Sequence, residues 1–191
     1  MRVELQPRES HPLGWNAFKV RIRLMDLTLQ RGETPPTLVI DLSAPELLGP
    51  RAIADLDVDG RQVVAYTLER IAGEKLRAFL STLPTYLAKI AKPGAAVRAK
   101  DLYDVARITM ARPLADVAFW DAVAEEFESA CASRLVDCTG IASFAERLEV
   151  TQAAYEGDPT IPKDIPFGAA WSAVQEIVAH FEVRKIVPNT R

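Results

Sequence analysis

The chain has 191 residues, of which 49% are apolar and 26% are charged. This composition is typical of one folded domain or two small ones, and it excludes a disulfide-stapled miniature, a disordered chain and a collagen-like repeat. The 23 Lys and Arg against 26 Asp and Glu give a net charge of −3. The surface as a whole therefore does not favour nucleic-acid binding, although a local basic face remains open.

Residues that build several common sites are scarce. The only histidines are His11 and His180, and the only cysteines are Cys131 and Cys138. This scarcity excludes a Cys/His zinc site and a serine or cysteine hydrolase triad. The low cysteine count favours reduced thiols. The sequence contains neither a secretion signal nor an apolar run of the ~18 residues that span a bilayer. We therefore expect a cytoplasmic protein.

The first third of the chain is predicted to form strands. Residues 18–24 alternate apolar and basic side chains, a pattern that indicates a half-buried strand. An Asp59-Gly60 pair, typical of a tight hairpin turn, precedes the last of the strands. The predicted strands cover residues 2–6, 18–24, 37–42 and 62–67.

From residue 67 onward the apolar periodicity is helical. The predicted helices cover about 67–83, 98–111, 115–136, 141–157 and 167–182. Strands followed by helices favour an α+β fold, with a small mixed sheet followed by a helical bundle. We expect a strand-rich part over residues 1–66 and a helical part over residues 67–191. Trp120, Phe127 and Trp171 are expected in the helical core.

Two of the predicted helices place a charge on their apolar face. On the first helix Lys75 faces inward, and on the next helix Asp101 faces inward with Asp104 at the edge of the stripe. Since a lone buried charge costs several kcal/mol, Lys75 and Asp101 are predicted to pair or to line a polar cleft. The charges expected to face solvent on the first helix are Arg70, Glu74 and Arg77.

The pair has two interpretations that the spacing leaves open. In the first, Lys75 and Asp101 form a structural ion pair that joins two helices. In the second, Lys75 contacts a phosphate or activates a nucleophile, while Asp101 orients it or helps to hold a metal ion.

Asp41 ends an apolar strand, at a position typical of metal or substrate ligands or of a simple turn cap. The segment Asp55–Gly60 imitates the start of a calcium loop but has Tyr66 at the twelfth position, where a Glu is needed. We interpret it as a solvated acidic hairpin.

One predicted strand face is basic. Lys19, Arg21 and Arg23 could form a ridge for the phosphates of a nucleotide or RNA, or they could simply face solvent.

Three segments resemble successive motifs of the AbiEii/AbiGii toxin family of nucleotidyltransferases, in the same order and spacing. They are Thr37-Leu-Val-Ile-Asp-Leu, then residues 64–79 with Glu-Lys-Leu-Arg-Ala, then Arg98-Ala-Lys-Asp-Leu-Tyr-Asp. The resemblance implies a polymerase-β-like core that transfers a nucleotide from a nucleoside triphosphate with Mg²⁺. It also implies the toxin half of an abortive-infection or type IV toxin–antitoxin system, with an antitoxin as partner and RNA as a candidate acceptor.

The resemblance also implies roles for individual residues. Asp41 would be the strand carboxylate of the active site and a metal ligand. Lys75 would be the triphosphate-contacting lysine, and Asp101 the helix carboxylate beside it. Arg77 and Asp104 would occupy neighbouring nucleotide-binding positions.

One family motif has no counterpart. A Gly-Ser followed by an Asp-x-Asp pair is expected before the Asp41 strand, and this sequence contains no Gly-Ser. We therefore expect either the C-terminal portion of a longer protein or a variant that has lost the motif, with weak or no catalysis. The alternative is a non-enzymatic module that binds an antitoxin-like protein, or RNA through the basic strand face.

Overall fold

The computed structural model describes residues 2–6, 17–23, 34–42, 46–82, 96–134 and 146–183. Strands come first in these residues and helices follow, so the predicted α+β class is confirmed. The strands are β1 (Arg2–Gln6), β2 (Ala17–Arg23), β3 (Thr37–Leu42), β4 (Ile53–Val58) and β5 (Arg61–Tyr66). The helices are α1 (Leu68–Leu80), α2 (Ala99–Ala111), α3 (Val117–Arg134), α4 (Leu148–Gly157) and α5 (Phe167–Val183). Residues 141–145 of the predicted fourth helix lie outside the described residues.

The chain divides into two compact units, Met1–Glu46 and Leu47–Arg191. In the first unit β1, β2 and β3 form a three-stranded sheet in that order, and both pairings are antiparallel. The β4–β5 hairpin of the second unit is antiparallel too, so the mixed sheet that we expected is not seen among the described strands. The expected parts, 1–66 and 67–191, follow the change from strands to helices rather than this division.

The solvated acidic hairpin is confirmed, and its first arm is β4, a strand that we did not predict. Asp59 and Gly60 have φ values of 52° and 75°, the left-handed conformation that a two-residue type I′ turn requires. The Asp57 carboxylate accepts a hydrogen bond from the Gly60 N–H at 2.9 Å, which fixes the turn. The sequence prediction missed β4 because its alternating acidic residues lower its strand propensity.

Thr67 lies between the end of the hairpin and the start of α1. Its backbone N–H donates to the carbonyl of the buried Ala52 at 3.0 Å, and its hydroxyl donates to the Arg51 carbonyl at 2.6 Å. The same hydroxyl oxygen accepts from the Arg70 N–H at 3.2 Å, which makes Thr67 the N-cap of α1. The start of α1 is therefore tied to the base of the hairpin.

The core of the second unit lies between the helices. Helix α1 packs against α2 and α3, and α2 packs against α5. As expected, Trp120, Phe127 and Trp171 are buried in this core. Trp171 meets Phe79 edge to face, with ring centroids 6.2 Å apart. None of the helices described is both long and apolar enough to cross a bilayer.

Helix α1 is covered on two sides. A Cβ added at Gly73 would lie 2.7 Å from the backbone nitrogen of Phe127, so the absence of a side chain at Gly73 lets α1 and α3 approach closely. The amphipathic pattern assigns one buried face to a helix, whereas α1 is packed by α2 and by α3.

This packing contradicts the prediction that Arg70, Glu74 and Arg77 face solvent. The Arg70 side chain is fully buried, and the side chains of Glu74 and Arg77 are each 17% exposed. Arg70 pairs with Glu74 at 2.6 Å and with the buried Glu126 of α3 at 3.4 Å. Arg70, which we interpreted as part of a solvated face, therefore joins α1 to α3.

The expectation of reduced thiols is wrong for this structure. Cys131 is buried in α3 and is disulfide-bonded. We expected reduced thiols because the sequence has only two cysteines, whose seven-residue spacing would place both on one side of a helix. Cys138, the only other cysteine in the sequence, lies outside the described residues.

Candidate functional site

Lys75 on α1 meets two carboxylates on α2. Its Nζ lies 3.0 Å from Asp101 Oδ1 and 2.7 Å from Asp104 Oδ2. The two aspartates are three residues apart, so they lie on one face of the helix. The predicted pairing of Lys75 with Asp101 is confirmed. Asp104, which was predicted to lie at the edge of the apolar stripe, is a second partner of Lys75.

The second oxygen of each carboxylate also faces a cation. Asp101 Oδ2 accepts from Arg98 Nε at 2.5 Å, and Asp104 Oδ1 lies 3.4 Å from Lys100 Nζ. We call these residues, Lys75, Arg98, Lys100, Asp101 and Asp104, the Lys75 cluster. Its three cations and two carboxylates leave one net positive charge, which favours an anionic ligand.

Solvent reaches the members of the cluster unequally. The side chain of Asp101 is 3% exposed, whereas those of Lys75 and Asp104 are 30% and 23% exposed. Asp101 lies in the first turn of α2, where the helix dipole favours a negative charge. An anion from solvent can therefore reach the ammonium of Lys75, while the buried Asp101 keeps its hydrogen bond to that ammonium.

The cluster keeps Lys75 protonated. Burial opposes the charged form, but the hydrogen bonds to Asp104 and Asp101 and the charges of both carboxylates outweigh it and raise the pKa of Lys75 above its ordinary value. Lys75 is therefore an ammonium at neutral pH. Of the two chemical roles left open for it, contact with a phosphate fits this state, whereas activating a nucleophile as a base does not.

Two other predicted site residues have different partners. Arg77 is bound to Glu74 through Nη2 and, at 3.1 Å, through Nε. Asp41 lies in the first unit, on β3, where its exposed carboxylate is 3.3 Å from Lys19 Nζ. Of the predicted site residues, Lys75 therefore contacts both Asp101 and Asp104. Arg77 pairs with Glu74, and Asp41 pairs with Lys19.

The carboxylates of the cluster do not form a ready metal site. All four oxygens of Asp101 and Asp104 face Lys or Arg nitrogens. Across the described ranges, no group of three His, Cys, Asp or Glu side chains is placed to hold a metal ion. Mg²⁺ is commonly held by one or two carboxylates together with substrate phosphates. A role for Asp41 as its ligand stays a prediction.

The sequence analysis missed Arg98 and Lys100 as members of the site. Arg98 precedes Asp101 by three residues and Lys100 precedes Asp104 by four, and these are the spacings at which opposite charges on a helix meet. That rule, applied to α2, would have found both. The prediction considered only the apolar stripe of this helix, on which neither residue lies.

Comparison with known proteins agrees with the resemblance in the three motif segments. The family model described as nucleotidyl transferase AbiEii toxin, type IV toxin–antitoxin system, matches residues 2–172. This range includes all of β1 to α4 and with them the Lys75 cluster. No curated protein and no solved structure gives a significant match. Because the match extends over most of its length, the chain belongs to the AbiEii family of nucleotidyl transferase toxins of type IV toxin–antitoxin systems.

Proposed function

We propose that the Lys75 cluster binds the triphosphate of a nucleoside triphosphate as part of a nucleotidyl-transfer reaction. One observation carries the proposal: Lys75 is a partly exposed ammonium, 3.0 Å from a carboxylate that is only 3% exposed, within a cluster of net positive charge. A phosphate oxygen is an anion that such an ammonium can contact without leaving the buried carboxylate unpaired.

The chemistry follows from the fixed charge of Lys75. In nucleotidyl transfer an acceptor oxygen attacks the α-phosphorus and pyrophosphate leaves, so negative charge on the phosphates has to be stabilised. Lys75 supplies that stabilisation as a cation. Asp101 keeps the ammonium in place through a hydrogen bond of 3.0 Å, and Arg98 keeps Asp101 in place through a contact of 2.5 Å.

The proposal also covers the metal ion, the rate of transfer and the protein partner that membership of the family suggests. A Mg²⁺ ion bound with the nucleotide would offset phosphate charge, with Asp41 as the predicted protein ligand. We expect weak or no transfer, because the sequence contains no Gly-Ser followed by an Asp-x-Asp pair. A cognate antitoxin is the expected protein partner, since the family belongs to toxin–antitoxin systems.

A transfer assay tests the proposed reaction. The purified chain is incubated with α-labelled nucleoside triphosphates, Mg²⁺ and bulk RNA, and label in the macromolecular fraction is measured. Transfer that is lost in Lys75→Met and in Asp41→Ala supports the assignment. The control is Lys163→Met, which removes an exposed lysine whose Nζ donates to the backbone carbonyls of Glu156 and Asp158. Transfer that survives in Lys75→Met contradicts the role of Lys75.

RNA binding by the first unit is a second candidate function. Arg21 and Arg23 are exposed on one face of β2, opposite Val39 and Thr37 of β3. Lys19 on the same face is already paired with Asp41 at 3.3 Å, which weakens the ridge. Reversal of the three basic charges should abolish RNA binding and its salt dependence. Unchanged binding would exclude this face as an RNA site.

A further inference from the structure

The two carboxylates that hold Lys75 are not equivalent. Asp101 is 3% exposed and its second oxygen is held by Arg98 at 2.5 Å. Asp104 is 23% exposed and its second oxygen lies 3.4 Å from Lys100, a half-exposed side chain. Asp101 is therefore a buried partner of Lys75 that a short contact with Arg98 holds in place. Asp104 is a partly solvated partner, and its contact with Lys100 is longer.

Asp104 also opposes the approach of an anion to Lys75. An ammonium has three hydrogens to donate, and its contacts with Asp101 and Asp104 use two of them, so the obstacle to a phosphate is charge rather than the number of donors. An anion that approaches Lys75 meets the negative charge of Asp104, which lies 2.7 Å from the same nitrogen and repels it.

We propose that Asp104 is the internal anion of Lys75 in the unliganded chain and that it releases Lys75 to a phosphate oxygen when a triphosphate binds. Asp101 keeps its hydrogen bond to Lys75 throughout. The proposal rests on the proposed function of Lys75 as the triphosphate contact, and it assigns opposite effects to the two aspartates: Asp101 supports binding and Asp104 limits it.

The costs of releasing each carboxylate favour this order. If Asp104 leaves Lys75, water and Lys100 still solvate its charge, because the side chain is partly exposed. If Asp101 left instead, a carboxylate that is 3% exposed would lose one of its two cations, and breaking such a contact is expensive. A phosphate should therefore displace Asp104.

The test uses inorganic triphosphate as the probe and the full chain as the protein, in a calorimetric titration without Mg²⁺. Asp104→Asn should bind triphosphate about tenfold more tightly than the wild type, since a charge close to the ligand is removed. Asp101→Asn and Lys75→Met should bind it more weakly. The matched control is Asp55→Asn, which removes one negative charge from the exposed hairpin and should leave the affinity unchanged.

Asp104→Ala serves as a second variant, and circular dichroism confirms that each variant is folded. If Lys75→Met weakens binding but both Asp104 variants bind like the wild type or more weakly, the inference about Asp104 is overturned and the proposed function stands. If Asp55→Asn gains as much affinity as Asp104→Asn, the effect is one of net charge and the inference is overturned as well. If Lys75→Met binds triphosphate as the wild type does, or if no variant binds it, both the proposed function and this inference fail.

Discussion

Arg70 on α1 and Glu126 on α3 form an ion pair in which neither side chain is exposed to solvent. The Glu126 carboxylate also accepts the Arg51 backbone N–H at 3.2 Å and lies against Gly49. A Cβ at Gly49 would lie 2.1 Å from its Oε1 atom. One buried carboxylate therefore connects two helices and the segment that leads into the hairpin.

Arg70→Met should destabilise the protein by about 3–5 kcal/mol, because it leaves the buried Glu126 without this cation. Urea denaturation followed by circular dichroism measures the change. The double variant Arg70→Met with Glu126→Leu should recover part of the loss. The control is Arg107→Met, which breaks an exposed pair with Asp164, with side chains 54% and 51% exposed, and should cost at most about 1 kcal/mol. Equal costs for Arg70→Met and Arg107→Met would contradict the buried pair.

Gly73→Ala should lower the free energy of unfolding by about 1–3 kcal/mol, because the added methyl group meets the backbone of α3 and the helices have to separate. The matched change is Gly168→Ala in the first turn of α5, where an added Cβ has nothing within 4 Å. That change should leave stability unchanged or raise it by about 0.5 kcal/mol, since Ala favours the helix. Thermal denaturation of both variants checks the pair. Similar losses in both would mean that α1 and α3 do not approach closely at Gly73.

A double-mutant cycle measures the coupling between Lys75 and Asp101. Lys75→Met and Asp101→Leu should each destabilise the protein by about 1–3 kcal/mol, because each leaves a partly or fully buried charge with one partner fewer. The double variant should recover part of these costs, although Asp104 and Arg98 each keep one partner fewer, so the coupling energy should be about 1 kcal/mol or more. Additive costs would show that the two side chains do not interact in solution.

The stabilising effect of Lys75 should depend on pH in a defined direction. Its pKa in the folded protein is raised above the ordinary value of 10.5, so its contribution is fully present below the unfolded pKa and is lost as the pH rises through the folded pKa. The difference in stability between the wild type and Lys75→Met should be constant up to about pH 10 and shrink above it. Denaturation curves over this alkaline range provide the measurement. A difference that grows with pH would mean that the pKa is lowered.

Some of this architecture follows from local sequence patterns. The strict alternation in residues 18–24 predicted β2, and the Asp59-Gly60 pair predicted the turn that the structure has. The Lys75–Asp101 contact followed from the cost of burying a lone charge on each of two neighbouring helices. In each case the physical cause lies within a few residues of the chain or in the pairing of opposite charges.

The rest depends on which elements pack together. The amphipathic pattern of α1 predicted one buried face, but α1 has two helical neighbours, so Arg70 is buried where solvent was expected. The position of Glu126 on α3 decides this, and the sequence of α1 does not contain that information. Likewise, Asp104 is recognised as a partner of Lys75 only when α1 and α2 are placed side by side.

The affinity of the chain for ATP tests the central claim most directly. Equilibrium dialysis with labelled ATP compares the wild type, Lys75→Met and the exposed-lysine control Lys163→Met, each shown to be folded by circular dichroism. Contact between the Lys75 ammonium and the triphosphate predicts that Lys75→Met binds ATP at least about tenfold more weakly and that Lys163→Met binds it like the wild type. Equal dissociation constants for the wild type and Lys75→Met would contradict the assignment of Lys75 as the triphosphate contact.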